Sequence, residues 1–157
     1  MSLNRNVPGL LLWLAASMAA GWIGSRFMPG EWYDSLIKPE WNPPDAVFAP
    51  VWTALYITMG IAAWLVWREK GFSEATTPLA LFIIQLALNA LWSYLFFGIH
   101  QPMLAFCEIM VLWLMILLTT VTFWKVSVTA GVLLLPYLLW VSFASALNFQ
   151  LWRLNIQ

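Results

Sequence analysis

Residues 102–124 read PMLAFCEIMVLWLMILLTTVTFW, an apolar run interrupted by one charge, Glu108. A helix needs about 20 predominantly apolar residues to cross the hydrocarbon core of a bilayer, and this run supplies them. Strands of a membrane barrel alternate apolar and polar positions over about ten residues; this run does not alternate. Four more stretches share its character, at roughly 8–27, 46–67, 78–98 and 128–152. In hydrocarbon only helices and closed barrels satisfy every backbone polar group. The expected fold is therefore an all-α integral membrane protein: a compact bundle of five transmembrane helices, with a folded loop over residues 28–45 after the first.

Composition agrees with this expectation. Of 157 residues 62% are hydrophobic and only 9% charged, against about 25% charged in a soluble domain. Such a chain lacks the polar surface to cover a water-soluble globule. The formal net charge is zero, so there is no basic face for nucleic acid. A single cysteine, Cys107, allows no intrachain disulfide. Charges mark the boundaries between spans: one group runs from Arg26 to Asp45, another from Arg68 to Glu74, and Lys125 stands alone at a short turn. Pro8, Pro78 and Pro102 fall near helix starts, where a missing N–H costs little. Pro136 falls inside the fifth span and should bend it. The short turns around His100 and Lys125 make the third, fourth and fifth spans antiparallel neighbours. No second domain or internal repeat is visible, so residues 1–157 are expected to form one membrane domain. Arg5 followed by an apolar run also fits a signal peptide, but the run continues to Phe27, long enough to span. The basic residues divide four against three between the two sides, which leaves the orientation open.

The loop after the first span, MPGEWYDSLIKPEWNPPD (residues 28–45), contains four prolines and three large aromatics, Trp32, Tyr33 and Trp41. Prolines limit chain entropy and aromatics pack compact surface loops, so the loop is expected to form a lid over one end of the bundle. Anchoring of its aromatics at the headgroup level is the alternative. Twelve tryptophans are present. Trp13, Trp22, Trp64, Trp67, Trp124 and Trp152 lie near helix ends, as an aromatic belt requires. Trp52, Trp92, Trp113 and Trp140 lie deeper. Each deep indole N–H needs a partner away from water, and each flat face could stack on a planar aromatic ligand.

The third span supplies polar candidates. Gln85, Asn89 and Ser93 recur at intervals of four, one face of a helix, with Trp92 and Phe96 beside them. In the fifth span, Trp140, Ala144 and Leu147 form one stripe, and Ser145, Asn148 and Trp152 another. Polar side chains in a span should face the bundle interior. Spacing alone permits two readings: interhelical hydrogen bonds, worth about 0.6 kcal/mol each on average, or the wall of a pocket.

Several motifs are more specific. KPEWNPP (residues 38–44) is followed by VFAPVWTALY (47–56), with GSRF at 24–27, QLALNALW at 85–92, FFG at 96–98, PYLLW at 136–140 and FASALN at 143–148. In this order, within a chain of five spans, they resemble the TspO/MBR family of tryptophan-rich sensory proteins and translocator proteins. The resemblance implies a five-helix receptor or sensor that binds porphyrins (protoporphyrin IX and haem) and related apolar ligands, including lipid or sterol and synthetic isoquinoline carboxamide and benzodiazepine drugs. The ligand is held among the helices beneath the first loop, and no cofactor is required. By motif match, Trp52, Asn89, Trp140, Ala144 and Leu147 fall at pocket-lining positions; Trp92, Phe96, Trp32, Tyr33 and Trp41 are further candidates. Trp52 and Trp140 match two tryptophans implicated in light- and oxygen-dependent porphyrin breakdown, which makes them the candidate catalytic residues of an alternative, enzymatic function. A passive carrier of tetrapyrroles or lipids is a third possibility. A homodimer and, among membranes, a bacterial cell membrane are also expected.

The sequence departs from the family pattern at two places. The sterol motif of animal members carries Tyr where this chain has Phe149, and such motifs are weak even when intact. Small residues four apart, which favour close helix contact, are incomplete in the third span, where Ala80 is followed by Ile84. Glu108 is the one acid well inside a span; a structural or interface role is its first reading and a proton or cation role its second. His100 could ligate haem iron, but it sits in a turn, so porphyrin is expected to bind by stacking and enclosure, with no metal site in the protein. Arg26 could meet a propionate or could be a snorkelling helix-end cation. The sequence contains no nucleophile–base set, metal cluster, nucleotide loop or paired carboxylates, and no inverted repeat of the kind that marks coupled transporters.

Overall fold

The computed structural model describes residues 3–156, with side chains from residue 6 onward; Arg5's side chain lies outside the described residues. The elements are α1 (Leu3–Gly24), α2 (Glu31–Ser35), α3 (Asp45–Glu74), α4 (Thr76–Ser93), a π-helical turn (Tyr94–Gly98), α5 (Pro102–Val126) and α6 (Val128–Leu154). Among the described residues, five helices are long and apolar enough to cross a membrane: α1, α3, α4 with its π-helical turn, α5 and α6. This is the five-helix membrane bundle expected from the apolar runs. Its outward faces carry the apolar residues that a soluble protein would bury, including Leu11, Ile83, Val111 and Leu139.

Local chemistry sets the helix ends. Pro102 opens α5, where its missing N–H costs nothing. Ser127 separates α5 from α6 and caps the latter, its Oγ accepting from the Ala130 N–H at 3.4 Å. The helical run of α3 extends past the expected span to Glu74, but Gly71 breaks it at φ +69°, a left-handed conformation that glycine adopts without steric cost. Pro50 and Pro136 lie inside α3 and α6.

α5 packs most extensively on α6, α1 on α3, and α4 on α5. The α1–α3 approach depends on Gly60: a Cβ there would come within 2.9 Å of the Leu14 Cα. Ser17, fully buried on α1, donates to the Tyr56 carbonyl of α3 at 2.7 Å. The main core runs through Met59, Ala63, Phe82, Leu112, Ile116, Phe123 and Tyr137. A second cluster, beneath the loop, joins Tyr33, Leu95, Phe96, Ala105, Leu147 and Leu151. The loop therefore packs onto the end of the bundle through its own aromatic residues.

Candidate functional site

A cavity of about 670 Å³ lies between the helices at the end covered by the loop. All five long helices contribute to its walls, with Trp22 of α1 and Ile109 of α5 among the lining residues. On α3, Trp52 and Tyr56 are one turn apart and stack, ring centroids 5.7 Å apart. On α4, Asn89, Trp92 and Ser93 face inward, and Trp92 stacks on Phe96 of the π-helical turn at 5.2 Å. On α6, Trp140, Val141, Ala144, Leu147 and Asn148 continue the wall. Trp52 meets Trp140 edge-on, with centroids 6.5 Å apart and planes at 88°. Met28, Pro29 and Tyr33 of the loop form the roof.

Of the residues selected from sequence, Trp52, Asn89, Trp92, Phe96, Trp140, Ala144, Leu147 and Tyr33 all reach this cavity. Trp32 and Trp41 do not line it. Trp32 lies flat against His100, centroids 4.3 Å apart and planes at 11°. Trp41 packs edge-on against Phe143. Both fasten the loop to the bundle from outside. Trp113 also points elsewhere: its Nε1 donates to Ser142 Oγ at 2.7 Å on the exposed side of the bundle.

The polar stripe of α4 serves both roles that its spacing permitted. Tyr56 Oη donates to Asn89 Oδ1 at 2.5 Å. Asn89 Nδ2 donates to Tyr137 Oη at 2.9 Å, and Tyr137 Oη donates to Gln85 Oε1 at 2.7 Å. This chain joins α3, α4 and α6 beside the cavity and pairs buried polar groups with one another. Asn148 is a second junction: its Oδ1 accepts from Trp92 Nε1 at 2.9 Å, and its Nδ2 donates to the Pro102 carbonyl at 2.9 Å. It ties α4 and α5 to α6. Tyr56 and Tyr137 were not selected from sequence, although Tyr56 lies four residues after Trp52 and Tyr137 three before Trp140, each on the same helix face.

Trp140 differs from Trp92 in one respect: its Nε1 is buried and has no partner. Among the described residues, no His or Cys lines the cavity. His100 is held on Trp32, and Arg26 lies over the Trp22 ring at 4.1 Å. No cluster of three or more His, Cys, Asp or Glu that could hold a metal occurs among the described residues. Glu108 is buried with both carboxyl oxygens unpartnered; it stays off the cavity wall, while its neighbour Ile109 lines it. In the roof, burial raises the Tyr33 phenol above its ordinary range.

The chain is 44% identical to the tryptophan-rich protein TspO of Chlorobaculum tepidum, over 98% of this chain and 99% of that one. It is 43% identical to the tryptophan-rich sensory protein of Cereibacter sphaeroides, over 98% and 95% of the two chains. It is 44% identical to the human translocator protein, over 95% and 90%. The TspO/MBR family model matches residues 12–153. The chain belongs to the TspO/MBR family.

Proposed function

We propose that the protein is a membrane receptor or sensor that binds porphyrins, such as protoporphyrin IX and haem, and related apolar ligands in the cavity beneath the loop. One observation carries this reading: three tryptophans from three different helices, Trp52, Trp92 and Trp140, converge with Phe96 on one cavity of about 670 Å³. That volume falls within the usual range for small-molecule sites, roughly 300–1,000 Å³. Aromatic faces supply dispersion and stacking for a flat ring system. A wall without His or Cys favours enclosure of a porphyrin over axial ligation of its iron. Lipid, sterol and drug-like ligands would use the same apolar wall, and a homodimer is the proposed assembly.

The edge-on contact of Trp52 with Trp140 supports a second reading, light- and oxygen-dependent porphyrin degradation. Two adjacent indoles could share oxidising equivalents generated by the excited ligand and dioxygen. One experiment tests both readings. Purified protein is titrated with protoporphyrin IX in the dark and then illuminated while porphyrin absorbance is followed. Saturable dark binding with stable absorbance supports the receptor. Loss of absorbance on illumination that disappears in Trp52→Phe or Trp140→Phe, with binding intact, supports the enzyme. Absence of saturable binding overturns both.

A further inference from the structure

We propose that Asn155, just beyond the end of α6, latches the loop over the cavity and so sets the rate at which ligand enters and leaves; this rests on the reading of the cavity as a ligand site. Asn155 Oδ1 accepts from the Ile37 N–H at 2.9 Å, and Asn155 Nδ2 donates to the Ile37 carbonyl at 2.9 Å. A single side-chain amide thus pairs with both backbone groups of one loop residue, as a neighbouring strand would. The same Nδ2 donates to the Leu151 carbonyl at 2.8 Å, which fixes the amide to the last turn of α6. Leu151 itself lines the cavity.

The Ile37 side chain is 62% exposed, so apolar burial does not hold the loop at this point. The amide pair does. Ile37 is also coupled to the roof. Lys38 Nζ donates to the Tyr33 carbonyl at 2.7 Å and lies over the Tyr33 ring at 4.6 Å. These contacts tie Lys38 back to the α2 turn. Losing the Ile37 pair removes one of the loop's fastenings, beside Trp32 on His100 and Trp41 on Phe143, and loosens the segment that carries Tyr33, which roofs the cavity and packs edge-on against Phe97 at 5.6 Å. The loop is also the covalent bridge between α1 and α3, and Met28, at its start, borders the cavity beside Trp22. Passage of a large flat ligand past this edge requires the loop to yield. Asn155 is a positioning residue: it does not line the cavity, and it acts through Ile37 and Tyr33.

The test compares the full chain with Asn155→Ala and Asn155→Asp in lipid nanodiscs, with protoporphyrin IX as the probe in stopped-flow mixing. Two lost exposed hydrogen bonds, each at the lower end of the ordinary net strength, correspond to roughly tenfold faster exchange. Asn155→Ala should accelerate association and dissociation together by about that factor, with Kd changing less than about twofold. Asn155→Asp keeps an acceptor for the Ile37 N–H but sets its second oxygen against the Ile37 and Leu151 carbonyls, so it should also accelerate exchange. Unchanged rates would overturn the proposal, as would a weaker Kd with unchanged association, because a merely structural role lowers affinity without speeding entry. A ligand-free measurement separates this proposal from the reading beneath it. Hydrogen exchange of the Ile37 amide should accelerate in Asn155→Ala while α4 amides stay protected. If the unaltered protein shows no saturable binding, the ligand reading fails, and equal exchange at Ile37 in protein and variant removes the latch as well.

Discussion

Asn89 occupies the middle of the hydrogen-bonded chain beside the cavity, and replacing it tests whether that chain acts as a unit. Asn89→Leu keeps the approximate volume and removes both polar functions. The Tyr56 hydroxyl then loses its acceptor, while the Tyr137 hydroxyl keeps Gln85. Two estimates bracket the cost. A buried donor left unsatisfied costs about 1–3 kcal/mol, whereas interhelical hydrogen bonds in membranes average only about 0.6 kcal/mol. Asn89 is 4% exposed and Tyr56 8%, so the released hydroxyl has little access to other partners, and the expected cost lies near 1–2 kcal/mol. Tyr56→Phe should cost about 1 kcal/mol by itself. The double variant should cost less than the sum, because removing both partners leaves nothing unsatisfied. Equilibrium unfolding in mixed micelles, run as a double-mutant cycle, should give a coupling of about 1 kcal/mol or more. Additivity within about 0.3–0.5 kcal/mol would refute the argument.

Other expectations follow from single contacts. Gly60→Ala should destabilise the bundle by about 1–3 kcal/mol, read as a lower unfolding midpoint, because a Cβ there meets the Leu14 backbone at 2.9 Å. Glu108→Leu should leave the protein as stable as before or about 1–3 kcal/mol more so, measured by the same unfolding, since its buried carboxyl has no partner to lose. Tyr33 bears on alkaline pH. Its phenol is raised above 10.0 in the folded protein, so its contribution to stability is complete below the unfolded value and declines as pH rises beyond it. Ultraviolet titration should therefore lose a phenol ionising above the ordinary range when Tyr33→Phe is compared with the unaltered protein.

The sequence made the architecture legible because hydrocarbon imposes one strong rule on backbone polar groups. The charges at Arg26, Arg68 and Lys125 bounded the spans well. The end of α3 was harder to place, because the helical run continues to Glu74 past a Gly71 break that apolar content does not mark. At the site, helix periodicity together with the family motifs found the inward residues of α4 and α6. It could not separate the loop aromatics: Tyr33 turns into the cavity while its neighbour Trp32 turns out to His100, and an irregular loop has no period to reveal this. Tyr56 and Tyr137 were missed for another reason. Each reads as an isolated packing residue until the third helix brings Asn89 between them. Asn155 lies 118 residues from Ile37 along the chain, and no local pattern connects them.

The sorting of the tryptophans has a spectroscopic consequence. Only four of the twelve, Trp22, Trp52, Trp92 and Trp140, border the cavity. A colourless ligand, which can quench only by contact, should extinguish no more than about a third of the intrinsic emission, four of the twelve indoles. A porphyrin, which absorbs where indole emits, can drain the remaining eight by resonance transfer across so small a bundle. The depth of quenching at saturation therefore distinguishes two kinds of occupant of the same cavity without any substitution.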